Sequence, residues 1–170
     1  MRIVFADTSY WVAILDHRDE LHSRAGDLSR KLNPVHIVTS QMVLTELLNY
    51  FAERGSHLRH ATVDLTEQLN QNANVTVVPQ SVEQFQSALL LYQQREDQGW
   101  SLTDCSSFQI MQEWHLTEAL TYDKHFGQAG FRASASQFCR TKLRIAHSGK
   151  HNAASAPVAH SLFPTAPPIS

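Results

Sequence analysis

The sequence predicts an α/β protein of three layers, with helices on both faces of a parallel central sheet. Three observations carry this reading. Short apolar, β-branched runs recur at residues 3–6, 36–39, 75–78 and 118–122, and the stretches between them have helical periodicity. Strands that alternate with helices pair in parallel and are covered on both sides. The first run, Ile3 to Ala6, shows no polar alternation, as a strand buried on both faces requires.

Each element has its own local reason. The first strand runs into Asp7, Thr8 and Ser9, short polar side chains suited to opening a helix, here expected over 9–15. A second helix is expected over 21–31, and Asn33-Pro34 breaks the chain before the second strand. The third helix, 41–54, carries a core stripe of Val43, Leu44, Leu47, Leu48 and Phe51, with Gly55 as its C-cap. Further helices are expected over 57–70, 82–95 and 103–114, with Pro79 closing the third strand. After Phe131 the pattern weakens, and from His147 the chain is rich in Ala, Ser and Pro. The expected division is a folded domain, 1–135, and a basic tail, 136–170, without a fixed fold.

With 170 residues there is room for one domain with a substantial core. Neither a signal-peptide core nor an apolar run near the roughly 20 residues that span a bilayer is evident, so a soluble, cytoplasmic protein is expected. Cys105 and Cys139 have no disulfide or zinc spacing and read as reduced thiols. The charge is segregated. All sixteen acids lie at or before Asp123 beside eight bases, whereas six bases and no acid follow it. That basic end is either a solvated tail of incidental composition or an electrostatic contact for nucleic acid or an acidic partner.

Four acids are poorly explained by packing. Asp7 and Asp123 follow strands, and ligands of an open parallel sheet bind outside the carboxyl ends of the strands. Glu46 borders the apolar stripe of its helix, where a charge is costly unless paired or in a wet cleft. Asp104 shares a helix face with Phe108 and Met111. Three have a plainer reading: a helix cap for Asp7, a surface glutamate for Glu46, a first-turn acid favoured by the helix dipole for Asp104. Converging carboxylates raise one another's pKa and call for a cation. An oxygen-only set, with hydroxyls of Thr8, Ser9, Ser101 and Thr103 nearby, suits Mg²⁺ or Mn²⁺ rather than zinc.

The stretches VFADTSYWVAILDHRDELHSRA, WSLTDCSSF and ALTYDKHFGQAGF, in this order around the Glu46 helix, resemble the PIN-domain family, particularly the VapC-like toxin ribonucleases. The resemblance covers residues 1–131 and implies a PIN-like fold. It also implies an acidic quartet at Asp7, Glu46, Asp104 and Asp123, holding the metal and acting in catalysis, with Thr8 or Ser9, Ser101 and Thr103 as supporting hydroxyls. The implied activity is hydrolysis of RNA by metal-activated water, leaving a 5′-phosphate and a 3′-hydroxyl. Expected partners are RNA, a cognate antitoxin and a second copy of the chain, the last through apolar residues such as Leu58, Val63 and Leu65, for which the core is an equal alternative; no membrane is expected.

Lys124, His125 and Arg132 are candidate RNA contacts, with Arg95 as a further one; Trp100 reads as a core or loop anchor before a base-stacking ring, a partly packed residue beside Phe126 is the alternative for His125, and Asp97 reads as a solvated loop acid. A haloacid-dehalogenase-like phosphatase needs a second Asp where Ser9 stands, and a receiver domain fits the placement of Asp104 and Asp123 poorly. A non-catalytic PIN-like module that binds RNA or protein is the remaining alternative.

Overall fold

The computed structural model describes residues 1–32 and 34–134. Five parallel strands form one sheet in the order β3-β2-β1-β4-β5. In chain order the elements are β1 (Arg2–Ala6), α1 (Thr8–Leu15), α2 (His22–Lys31), β2 (Val35–Ser40), α3 (Gln41–Phe51) and α4 (Ser56–Gln71). There follow β3 (Val75–Val78), α5 (Val82–Gln94), α6 (Leu102–Glu113), β4 (Glu118–Leu120), α7 (Lys124–Gln128) and β5 (Arg132–Ala133). The Cys139 thiol and the expected tail lie outside the described residues.

β1 is central. It pairs with β2 from Arg2↔Val35 to Phe5↔Val38, and with β4 at Phe5↔Ala119 and Ala6↔Leu120. Val4, Phe5 and Ala6 are each fully buried, so both sheet faces are covered, as a strand without polar alternation demands. Phe5 stacks on Phe126 of α7, which meets Phe108 of α6 edge-on with ring centroids 5.0 Å apart. The Trp11 indole of α1 donates to Thr39 Oγ1, and that hydroxyl donates to the Ala6 carbonyl, joining β1 and β2 below the site.

The chain steps from β1 to β2 to β3 in one direction and then returns across β1 to β4 and β5. The strand order therefore reverses between β1 and β4, the place where loops leaving the strand ends diverge and leave a crevice.

Several expectations need correction. The fourth strand ends at Leu120, not at Tyr122, because the Thr121 hydroxyl turns to Asp7, the Tyr122 N–H to Ser9 and the Asp123 N–H to Thr121 instead of to a neighbouring strand. The sheet has a fifth strand and a short helix, α7, for which two and five residues respectively show no readable period. α3 stops at Phe51, and Gly55, at φ 95°, is the N-cap of α4 rather than the cap of α3. Leu48 is 36% exposed and so lies at the edge of the α3 stripe. Leu58 and Leu65 are core residues, whereas Val63 is exposed.

Candidate active site

Asp7 ends β1 and caps α1. Its Oδ2 accepts from the Ser9 N–H at 3.3 Å and the Ser9 hydroxyl at 2.9 Å. Thr121 Oγ1 donates to the same oxygen at 3.0 Å and accepts from the Asp123 N–H at 3.0 Å. The Tyr122 N–H donates to Ser9 Oγ. Two hydroxyls thus tie the end of β1 to the chain leaving β4. Burial pushes the Asp7 carboxyl up to about 6, against hydrogen bonds from Ser9 and Thr121 that favour its charged form.

Asp104 is placed by a capping box at the start of α6. Its Oδ2 accepts from the Ser101 N–H at 2.8 Å, and Ser101 Oγ accepts from the Asp104 N–H at 3.0 Å. The carboxylate is buried, with Phe108 one turn along on the same face and packed between Trp100 and Phe126. Asp123 caps α7 by accepting from the His125 N–H at 2.8 Å. The His125 ring returns over both acids: its Nδ1 is 3.3 Å from Asp104 Oδ2 and 3.3 Å from Asp123 Oδ1. Asp104, Asp123 and His125 can each offer one ligand atom, all within 4.8 Å of one another.

The structure therefore brings Asp104 and Asp123 into one tight group and attaches Asp7 to it through Thr121. Glu46, half-buried on α3, accepts from Thr8 Oγ1 at 2.5 Å, one residue beyond Asp7. Ser9 and Ser101 position carboxylates, and Thr103 is buried in the first turn of α6. Thr121 and the location of His125 among the acids were not foreseen. A hydroxyl two residues from each strand-end acid, Ser9 after Asp7 and Thr121 before Asp123, was the available signal.

Lys124 is exposed immediately beyond Asp123. Arg132 does not share that position. It pairs with Glu118 at 3.1 Å, and Glu118 and Arg132 open β4 and β5, at the strand ends opposite the acids. Burial opposes ionisation of Glu118, yet hydrogen bonds from Arg2 and Ser134 and the charges of Arg2 and Arg132 hold its carboxyl below the usual range. Arg95 binds Asp97 and lies over the Trp100 ring, and Trp100 is buried, an anchor rather than a stacking surface.

The PIN-domain family model matches residues 4–132. The 23S rRNA-specific endonuclease VapC20 of Mycobacterium tuberculosis is 31% identical over 130 residues, 76% of this chain and 95% of the relative. The crystal structure of VapC20, described as a sarcin-ricin loop cleaving toxin, is similar at TM-score 0.68 and 26% identity, over 75% of this chain and 95% of that one. FitAcB from Neisseria gonorrhoeae shares the fold at TM-score 0.53 and 15% identity, over 76% of this chain and 94% of that one.

Proposed function

This chain belongs to the PIN-domain family, and from that premise we propose that it is a metal-dependent endoribonuclease and the toxin of a toxin–antitoxin pair. One observation carries the catalytic reading. Asp104 and Asp123 converge at the crevice where the strand order reverses, with Asp7 bound to the same network. Among the described residues no Lys or Arg forms an ion pair with these acids; the basic group between them is the His125 ring.

A set rich in carboxylate oxygens fits a hard divalent cation, and Asp7, Asp104 and Asp123 would hold Mg²⁺ or Mn²⁺, with Glu46 completing the shell or orienting water. Such an ion lowers the pKa of water and neutralises charge that builds on the phosphoryl group. The protein supplies the positions. Ser101 and Phe108 fix Asp104, Thr121 holds Asp7 against the Asp123 backbone, and Thr8 orients Glu46. Lys124 stands at the rim, where a cation offsets the repulsion between an acidic site and RNA.

The RNA reading and the toxin reading are supported by VapC20, a 23S rRNA-specific endonuclease and sarcin-ricin loop cleaving toxin, which this chain matches over most of its length. The cytoplasm is the proposed site of action; among the described residues no helix is long and apolar enough to cross a membrane. A second copy is a further proposed partner, docking on α5, where apolar residues are exposed, rather than on Leu58 and Leu65.

Substituting Asp104→Asn tests the assignment. Cleavage of RNA with Mg²⁺ is expected to fall at least about 100-fold, the loss typical of an electrostatic group that acts in the transition state. Growth arrest on expression should disappear with it, EDTA should silence the wild type, and Mn²⁺ should restore it. An Asp104→Asn protein that cleaves at the wild-type rate overturns the reading.

A further inference from the structure

Carboxylates alone discriminate little between Mg²⁺ and Mn²⁺, both of which suit oxygen donors. The third group that converges with Asp104 and Asp123 is not an oxygen donor. His125 is the second residue of α7, and its backbone N–H is fixed on Asp123 Oδ1 at 2.8 Å. From that anchor the ring reaches both acids, with Nδ1 3.3 Å from Asp104 Oδ2 and 3.3 Å from Asp123 Oδ1.

Those two equal distances matter. A charge-assisted hydrogen bond settles at about 2.7–2.9 Å on one acceptor. Here the nitrogen stands equally far from two, at a spacing closer to that of ligand atoms around a single ion. Neighbouring donors of an octahedral ion, each about 2.1 Å from it, lie roughly 3 Å apart. One atom from each of Asp104, Asp123 and His125 falls within 4.8 Å of the other two. The second ring nitrogen, Nε2, lies beside exposed Gly99, where an added Cβ would stand 3.9 Å from it. With the ring proton on Nε2, Nδ1 keeps its lone pair for a cation.

We propose that His125 is a metal ligand, donating Nδ1 beside the carboxylates of Asp104 and Asp123, and that this nitrogen makes the site prefer Mn²⁺ to Mg²⁺. The proposal rests on the metal site proposed above. Mg²⁺ keeps oxygen donors and gives up its water reluctantly, whereas imidazole suits first-row transition ions. Mn²⁺ belongs to that row and also suits carboxylate and water. A set of two carboxylates and one imidazole therefore favours it.

The test uses the full chain with Mn²⁺ alone, read by electron paramagnetic resonance, so that it needs no RNA. Spin-echo modulation from a directly bound nitrogen is expected in the wild type and should vanish in His125→Ala. His125→Ala should weaken Mn²⁺ binding at least about tenfold, the loss that follows even from disturbing a ligand's supporting hydrogen bond. Mg²⁺ affinity, measured by competition against Mn²⁺, should fall much less. His125→Asp replaces the nitrogen with oxygen, and the ratio of Mn²⁺ to Mg²⁺ affinity should drop below that of the wild type. A wild type with bound Mn²⁺ but no nitrogen modulation overturns the proposal, whatever the variants do. So does a His125→Ala protein that loses both ions equally, or a His125→Asp protein with the wild-type ratio. Mn²⁺ bound through His125 in a protein that cleaves no RNA leaves this proposal standing and overturns the ribonuclease reading alone.

Discussion

Asp7 is ionised only against the desolvation imposed by a strand buried on both faces. Its folded-state pKa of about 6 lies above the ordinary 3.8, so the folded protein keeps a proton that the unfolded chain has released. The stabilising contribution is complete below the unfolded value and is lost as pH rises through about 6. Above that, the metal-free protein is less stable by about 2–3 kcal/mol, the free energy of a shift of some two pKa units. Asp7→Asn should therefore raise Tm in EDTA at pH 7.5 by roughly 5–10 °C, with most of the gain gone near pH 4. Melting curves at the two pH values check this, and an equal gain at both would remove desolvation as the cause. The same charge that weakens the empty fold is what a cation would reward, a division of roles expected where function sets the residue.

α5 shows an element whose exposure contradicts its composition. Val82, Phe85, Leu89 and Tyr92 recur at helical spacing along its outer face at 67, 43, 48 and 51% exposure, and Glu83 is its one charged residue. An apolar, nearly uncharged stripe suits neither RNA nor a charged peptide, whereas a copy of itself presents the same surface without like-charge repulsion. Leu89→Glu is expected to shift sedimentation at micromolar concentration from dimer to monomer with little change in Tm, since Leu89 is half exposed in the single chain. A wild type that sediments as a monomer at high micromolar concentration would remove the second copy as the occupant.

Across the whole molecule, charge is divided between its two ends. Residues 1–134 hold all sixteen acids against ten bases, and residues 136–170 hold four bases and no acid. VapC20 is matched over 95% of its length by 130 residues of this chain, so the basic tail is an addition relative to that relative. Its composition is rich in Ala, Ser and Pro. Removing 136–170 is expected to leave Tm and cleavage at saturating RNA unchanged. The salt dependence of RNA binding should flatten by up to about 3, at roughly 0.7 for each of four cations. A collapse of Tm in the shortened chain would show that the tail packs on the domain.

The sequence by itself determined the alternation of strands and helices, four of the five strands and six of the seven helices, since apolar period is a local property. It also determined which acids lie badly for packing, because Asp7 and Asp123 follow apolar runs and Asp104 shares a face with Phe108 and Met111. Tertiary structure decided the rest. The order β3-β2-β1-β4-β5 places the end of β1 beside the end of β4, and with it Asp7 beside Thr121; no local period encodes which strands become neighbours. Arg132 reads as a free cation beside a functional loop, but β5 pairs with β4 and delivers it to Glu118 at the opposite strand ends. An apolar stripe states that a helix has a face, not what covers it, and so Leu58 and Leu65 are buried while Phe85 and Leu89 are exposed. Burial and neighbour identity are set by contacts distant in sequence, which form only when the whole sheet assembles.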